Sequence, residues 1–126
     1  GRDVGIVAIS SNDAENYPDD APDQLRFMAQ DLSFAFPFCY DESQQTAKDY
    51  TAACTPDFFL FDAQQRLVYR GQLDDGRPGN DSPVDGKDLR AALDQVLAGD
   101  EPDLHQKPSI GCNIKWKPDS APTYFG

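Results

Sequence analysis

The chain has 126 residues with 22 acidic against 11 basic side chains, and its formal charge of −11 repels phosphate backbones and anionic lipid surfaces. Nucleic-acid binding and membrane-surface binding are therefore set aside first. The length suits one compact domain with a real core, and no apolar run reaches the roughly 18 residues that a membrane-spanning helix needs.

Val4 to Ser10 is a nearly continuous apolar run ending in Ser11-Asn12-Asp13, the pattern of a parallel strand covered on both faces. It begins only three residues after Gly1 and without a signal-peptide layout, so the chain is expected to be cut from a longer protein. Pro22 opens a segment in which Leu25, Met28, Ala29 and Leu32 recur at helical spacing, which predicts an amphipathic helix. Phe34 to Tyr40 reads as a short aromatic strand broken by Pro37, and Ser43 as the N-cap of a short helix through Tyr50. Asp57 to Phe61 and Leu67 to Arg70, joined by the polar turn Asp62 to Arg66, predict a hairpin. After a loop rich in Asp, Gly and Pro over 74 to 86, Leu89, Leu93, Val96 and Leu97 mark a second amphipathic helix stopped by Gly99. From Pro102 onward there is no sustained period, although 111 to 117 alternates enough to lay a short strand or arm on the body. The organisation expected is a domain over 1–100 and a C-terminal arm over 101–126.

Three cysteines, Cys39, Cys54 and Cys112, are odd in number and irregular in spacing, which argues against a fully paired secreted framework. Free thiols, or one bridge with one thiol, both stay open. Cys39, between Phe38 and Tyr40, reads as core packing. His105 is the only histidine and has no partner at ligand spacing. Asp74, Asp75, Asn80, Asp81 and Asp85 crowd one loop, but their spacing departs from a calcium-binding loop and lacks its terminal Glu. No metal and no organic cofactor is expected.

Thr55-Pro56 immediately before a hydrophobic strand is the most informative local feature, because proline there cannot donate to a ladder and its preceding bond can be cis. Ser11 to Pro18, Cys54-Thr55-Pro56-Asp57-Phe58-Phe59, Tyr69-Arg70-Gly71-Gln72 and Ile110 to Lys117 together resemble one bacterial group. That group is the thioredoxin-like proteins related to alkyl hydroperoxide reductase and thiol-specific antioxidant proteins, and the likeness covers residues 3 to 118. It implies an α/β, thioredoxin-like fold with a mixed sheet flanked by helices. It also implies a strand and a Cys-x-x-Cys helix ahead of Val4, and no Cys-x-x-Cys occurs in this sequence.

The function implied is a thiol-disulfide oxidoreductase or antioxidant protein acting on protein disulfides, thiols or peroxides, with the present chain inactive by itself. In that arrangement Thr55 and Pro56 bind an extended peptide while the missing cysteines react. The alternative is a thioredoxin-fold peptide-binding module without redox turnover. Cys54 is read first as packing and second as an auxiliary catalytic thiol. Thr51-Ala52-Ala53-Cys54 is similar to the Thr-x-x-Cys of peroxiredoxins, but Ala47 stands where they carry proline, and Cys54 ends a short helix where theirs begins one. Cys112 is a redox or structural thiol whose pKa Lys115 and Lys117 would lower if close, or a bridge partner of Cys54. A central strand missing from the sheet has to come from upstream sequence, from a second chain or homo-oligomer, or from direct re-pairing of two edges. The compartment stays open, with cytoplasm ranked ahead of periplasm.

Overall fold

The computed structural model describes residues 4–124. They fall into two compact units, one of residues up to Ala53 together with those from Ile114 on, the other Cys54–Asn113. The boundary thus lies inside the tail that was expected to form a single arm after residue 100.

In the first unit, β1 (Ala8–Ser10) runs parallel to β2 (Phe38–Tyr40), with Ile9 opposite Cys39. The predicted strand from Val4 is only three residues long, because β1 pairs with β2 alone among the described residues. Between them lie a 3-10 turn at Pro18–Asp20 and α1 (Pro22–Asp31). Pro22 suits the first helical turn, where its missing N–H costs nothing, and Asp23 faces the positive end of the helix dipole. The apolar stripe of α1 is only partly used: Leu25 and Ala29 are half-buried, whereas Leu32 is 59% exposed.

α2 (Gln45–Asp49) begins later than the sequence suggests. Ser43 Oγ accepts the Gln45 amide, but the main cap is Asp41, whose carboxylate accepts the amides of Thr46 and Ala47 and the hydroxyl of Ser11. The side chain of Gln44, fully buried, ties the unit together. Its Nε2 donates to Ser11 O (2.7 Å) and Lys115 O (3.0 Å), and its Oε1 accepts the Lys117 amide (3.1 Å). Asp13, also buried, accepts from the Glu15 amide and Asn16 Nδ2, while its own amide donates to Lys115 O.

In the second unit, β3 (Cys54–Thr55) pairs antiparallel with β6 (Cys112–Asn113). β4 (Phe58–Phe61) and β5 (Leu67–Gly71) form the predicted hairpin, with a register shift at Leu60/Phe61. Asp62 makes the turn by accepting the amides of Gln64 and Arg66 and the Arg66 Nε. α3 (Lys87–Leu97) packs on the hairpin and stops where Gly99 turns left-handed at φ 77°. Before it, the crowded acidic loop is consumed by its own hydrogen bonds. Buried Asp74 accepts the amides of Gly76 and Gly86, and Asp75 meets Lys87, Lys107 and Gln72.

The expected large core is not there. Ala47, Ala52, Tyr69 and Ile114 are the buried apolar residues among those described, while Ile6, Val7 and Ile9 are about half exposed at 57%, 59% and 47%. Cys39, expected in the core, is exposed beside Ile9. Ile9 and Cys39 lie side by side on the β1–β2 pair, on a face that is left open among the described residues.

Two hydrogen-bonded loop carboxylates, half-buried Asp41 and buried Asp74, are expected to make the fold acid-sensitive. Burial works against the charge of Asp41, but the bonds from Ser11, Ala47 and Thr46 outweigh it and hold its carboxyl below the ordinary value. The Gly86 amide does the same for Asp74, with help from Gly76, Asp85 and Arg77 against desolvation. A folded pKa below the unfolded one gives stability that is complete above the unfolded value and lost as pH falls through the folded value. Thermal midpoints should stay level from about pH 7 to about pH 5 and drop between about pH 4 and pH 2. A midpoint still level at about pH 3 would show that these bonds add nothing.

Candidate functional site

The site is built on the short ladder at the start of β4. Thr55–Pro56 is a cis peptide bond, and both residues are exposed. β3 cannot continue straight into β4, since Pro56 has no N–H to offer a ladder. Asp57 fills the corner: its side chain is 7% exposed, its Oδ1 lies 3.0 Å from Ser109 Oγ, and its Oδ2 is 3.4 Å from an Arg70 guanidinium nitrogen. Ser109 Oγ also lies 2.6 Å from Gly71 O, so its one proton goes to either oxygen at a time. The guanidinium of Arg70 sits over the Phe59 ring, 5.1 Å from its centroid.

Cys54 is half-buried, with its Sγ donating to Ser109 O at 3.5 Å. Burial pushes its pKa up, the charge of Asp57 adds to this, and the opposing charges of Arg70 and Arg77 do not compensate. At neutral pH it is a thiol, whereas the nucleophile in exchange chemistry is a thiolate. Cys112 is exposed in β6 and faces Thr55, with Thr55 Oγ1 donating to Cys112 O at 3.3 Å. Because Cys54 lies opposite Asn113 and Cys112 opposite Thr55, the two thiols point to opposite faces of the ladder. A bridge between them lacks the geometry, and all three cysteines are free.

Cys54, Thr55, Pro56 and Cys112 are therefore brought together, although they were singled out from segments more than fifty residues apart in the chain. Asp57, Arg70 and Ser109 were not recognised as site residues from the sequence. Arg70-Gly71 carried part of the family likeness, so a signal existed for Arg70, whereas nothing local marks Ser109. Of the lysines expected near Cys112, Lys115 has its Nζ 5.8 Å from the centre of the Tyr17 ring, and the Lys117 amide donates to Gln44. Among the described residues no group of three or more His, Cys, Asp or Glu side chains is placed to hold a metal ion, and no helix is long and apolar enough to cross a membrane.

These elements define a thioredoxin-like redox-family protein. The chain belongs to the Redoxin family, whose match spans residues 1–89. It is similar to a crystal structure described as an uncharacterized conserved protein from Geobacillus kaustophilus, with 56% identity and a TM-score of 0.89 over 93% of this chain. It is likewise similar to a hypothetical protein from Sinorhizobium meliloti, with 52% identity and a TM-score of 0.87 over 90% of this chain. The chain spans 62% of the length of each of these solved structures. No curated protein matches it.

Proposed function

We propose that this chain is the peptide-holding portion of a thiol-disulfide oxidoreductase whose reactive cysteine pair is carried upstream in the natural protein. In that scheme an upstream thiolate, kept ionised at a helix N-terminus, attacks a substrate disulfide and expels one sulfur as a thiolate. Its neighbouring cysteine then attacks the mixed disulfide and releases the second sulfur. Protein disulfides are the substrates of this step; a thiol reacts in the reverse direction with the oxidised cysteine pair, and a peroxide turns the thiolate into a sulfenic acid that the neighbouring cysteine converts to a disulfide with loss of water.

The observation that carries the reading is the Thr55 edge, which holds an extended segment in antiparallel register beside Pro56. β-strand addition of this kind gives affinity through main-chain bonds. Cys54 fits an auxiliary thiol held in reserve, since it is kept protonated, and its packing role needs no chemistry. Cys112 fits a redox or structural thiol, lying exposed next to Thr55. A further strand, from upstream sequence or from a second chain, would pair with the open edge of β1, which has one strand partner among the described residues.

The test is insulin-disulfide reduction. The natural full-length protein is expected to turn over, this chain alone to stay at background, and replacement of an upstream cysteine pair to lower the rate by about 100-fold or more. Full-length protein that binds extended peptides with no turnover would instead establish a redox-inactive binding module.

A further inference from the structure

We propose that the protein keeps the Thr55 edge closed with its own arm, and that an extended peptide of matching chemistry must displace the segment Ile110 to Asn113 in order to bind. This rests on the reading that the Thr55 backbone receives an extended peptide.

The arm lies against Thr55 at backbone distance. A Cβ built on Gly111 would overlap Thr55 O, and the Thr55 hydroxyl donates to Cys112 O at 3.3 Å. With Cys112 in register opposite Thr55 and Asn113 opposite Cys54, the side of β3 that faces the arm is fully occupied. A second strand cannot pair there while the arm remains.

The arm is fastened at its ends and loose between them. Upstream, the Gln72 amide donates to Lys107 O (3.0 Å), and Ser109 is held by Gly71 O, Asp57 and the Cys54 thiol. Downstream, Ile114 is buried at 5% exposure. None of the residues between is buried: Ile110 is 67% exposed, and Gly111, Cys112 and Asn113 are all exposed. A two-residue ladder with no buried side chain is a contact that an incoming strand can replace bond for bond, gaining whatever its own side chains bury.

The same geometry defines what the incoming peptide must look like. The residue preceding the one opposite Thr55 has no room for a Cβ, so a glycine is required there.

The experiment uses the full-length protein that contains this chain and a fluorescent hexapeptide, Ser-Ile-Gly-Ser-Asn-Ile, which copies the arm from Ser109 to Ile114 with serine in place of the cysteine. Binding is followed by anisotropy and arm release by hydrogen exchange of the Cys112 amide. Gly111→Val, which drives the arm off Thr55, is expected to bind the peptide about 10-fold tighter than the wild type, because the competent state is no longer masked. Ser109→Ala loosens the upstream fastening without adding bulk and should tighten binding about threefold, which keeps the test decisive if Gly111→Val does not fold. Replacing the peptide glycine with alanine should weaken binding about 10-fold or more. Equal affinity for wild type and variants, with the Cys112 amide still protected at saturation, overturns the inference and leaves the peptide-binding reading standing. No binding to any of the proteins, although exchange shows the arm released, overturns that reading and the inference with it.

Discussion

Gln44→Ala is expected to lower the unfolding free energy by about 2 to 4 kcal/mol, because it removes three hydrogen bonds of a fully buried side chain and leaves Ser11 O and the Lys117 N–H without that partner, while Lys115 O keeps the Asp13 amide. The amide of Gln44 bonds Ser11 O, Lys115 O and the Lys117 N–H from a position with no exposed surface. Each lost partner inside the protein costs far more than the same bond contributes in water. Gln44 also has a left-handed backbone, at φ 63°, and alanine there suffers the same strain, so the measured difference reports the hydrogen bonds. Gln44→Gly relieves the backbone while losing the same bonds, and should fall between wild type and Gln44→Ala. Urea unfolding with an unchanged slope reads the effect. A loss below about 1 kcal/mol would mean that water takes over the amide's role.

Gly71→Ala should cost about 1 to 3 kcal/mol through a backbone collision. Gly71 ends β5 opposite Phe58, and a Cβ there would overlap Lys107 O and come within 3.1 Å of the Tyr69 hydroxyl. Neither neighbour yields easily. Lys107 O is held by the Gln72 amide at 3.0 Å, and Tyr69 is 5% exposed, with its hydroxyl donating to Gln72 O. Desolvation, with the charges of Asp88 and Asp57 behind it, pushes the Tyr69 pKa up to about 12, so the hydroxyl keeps its proton for that bond. The variant should melt several degrees lower and exchange its Gln72 amide faster. Unchanged exchange at Gln72 would mean that the hairpin end shifts as a body and spares the contact.

The parts of this fold that could be read from sequence are those whose signal is local. The hairpin showed itself because Phe58 to Phe61 and Leu67 to Arg70 flank a turn of polar residues, and Asp62 closes that turn with residues two and four positions on. Thr55-Pro56 stood out by its place ahead of a strand. Gln44, Asp13 and Ser109 carried no such mark, since their partners lie as far off in the chain as Lys115 is from Asp13 and depend on the path of the tail. The pairing of Cys112 with Thr55 likewise joins two segments too short to have a period. Cys39 was misplaced for the opposite reason: its apolar neighbours are local, but burial is decided by whatever covers the strand face, and nothing described covers it.

The tail's route also governs the order in which the molecule can assemble during synthesis. The second unit is one uninterrupted stretch, Cys54–Asn113, and has all its partners once that stretch has left the ribosome. The first unit starts earlier in the chain but needs Ile114 and the residues beyond it: Lys115 to bond Asn12 and Asp13, Lys117 to reach Gln44, Tyr124 to reach Ala52. The part of the first unit that precedes Cys54 therefore completes its bonds only after the second unit has been made, and until then β1 and Gln44 are open to chaperones or to pairing with the wrong strand.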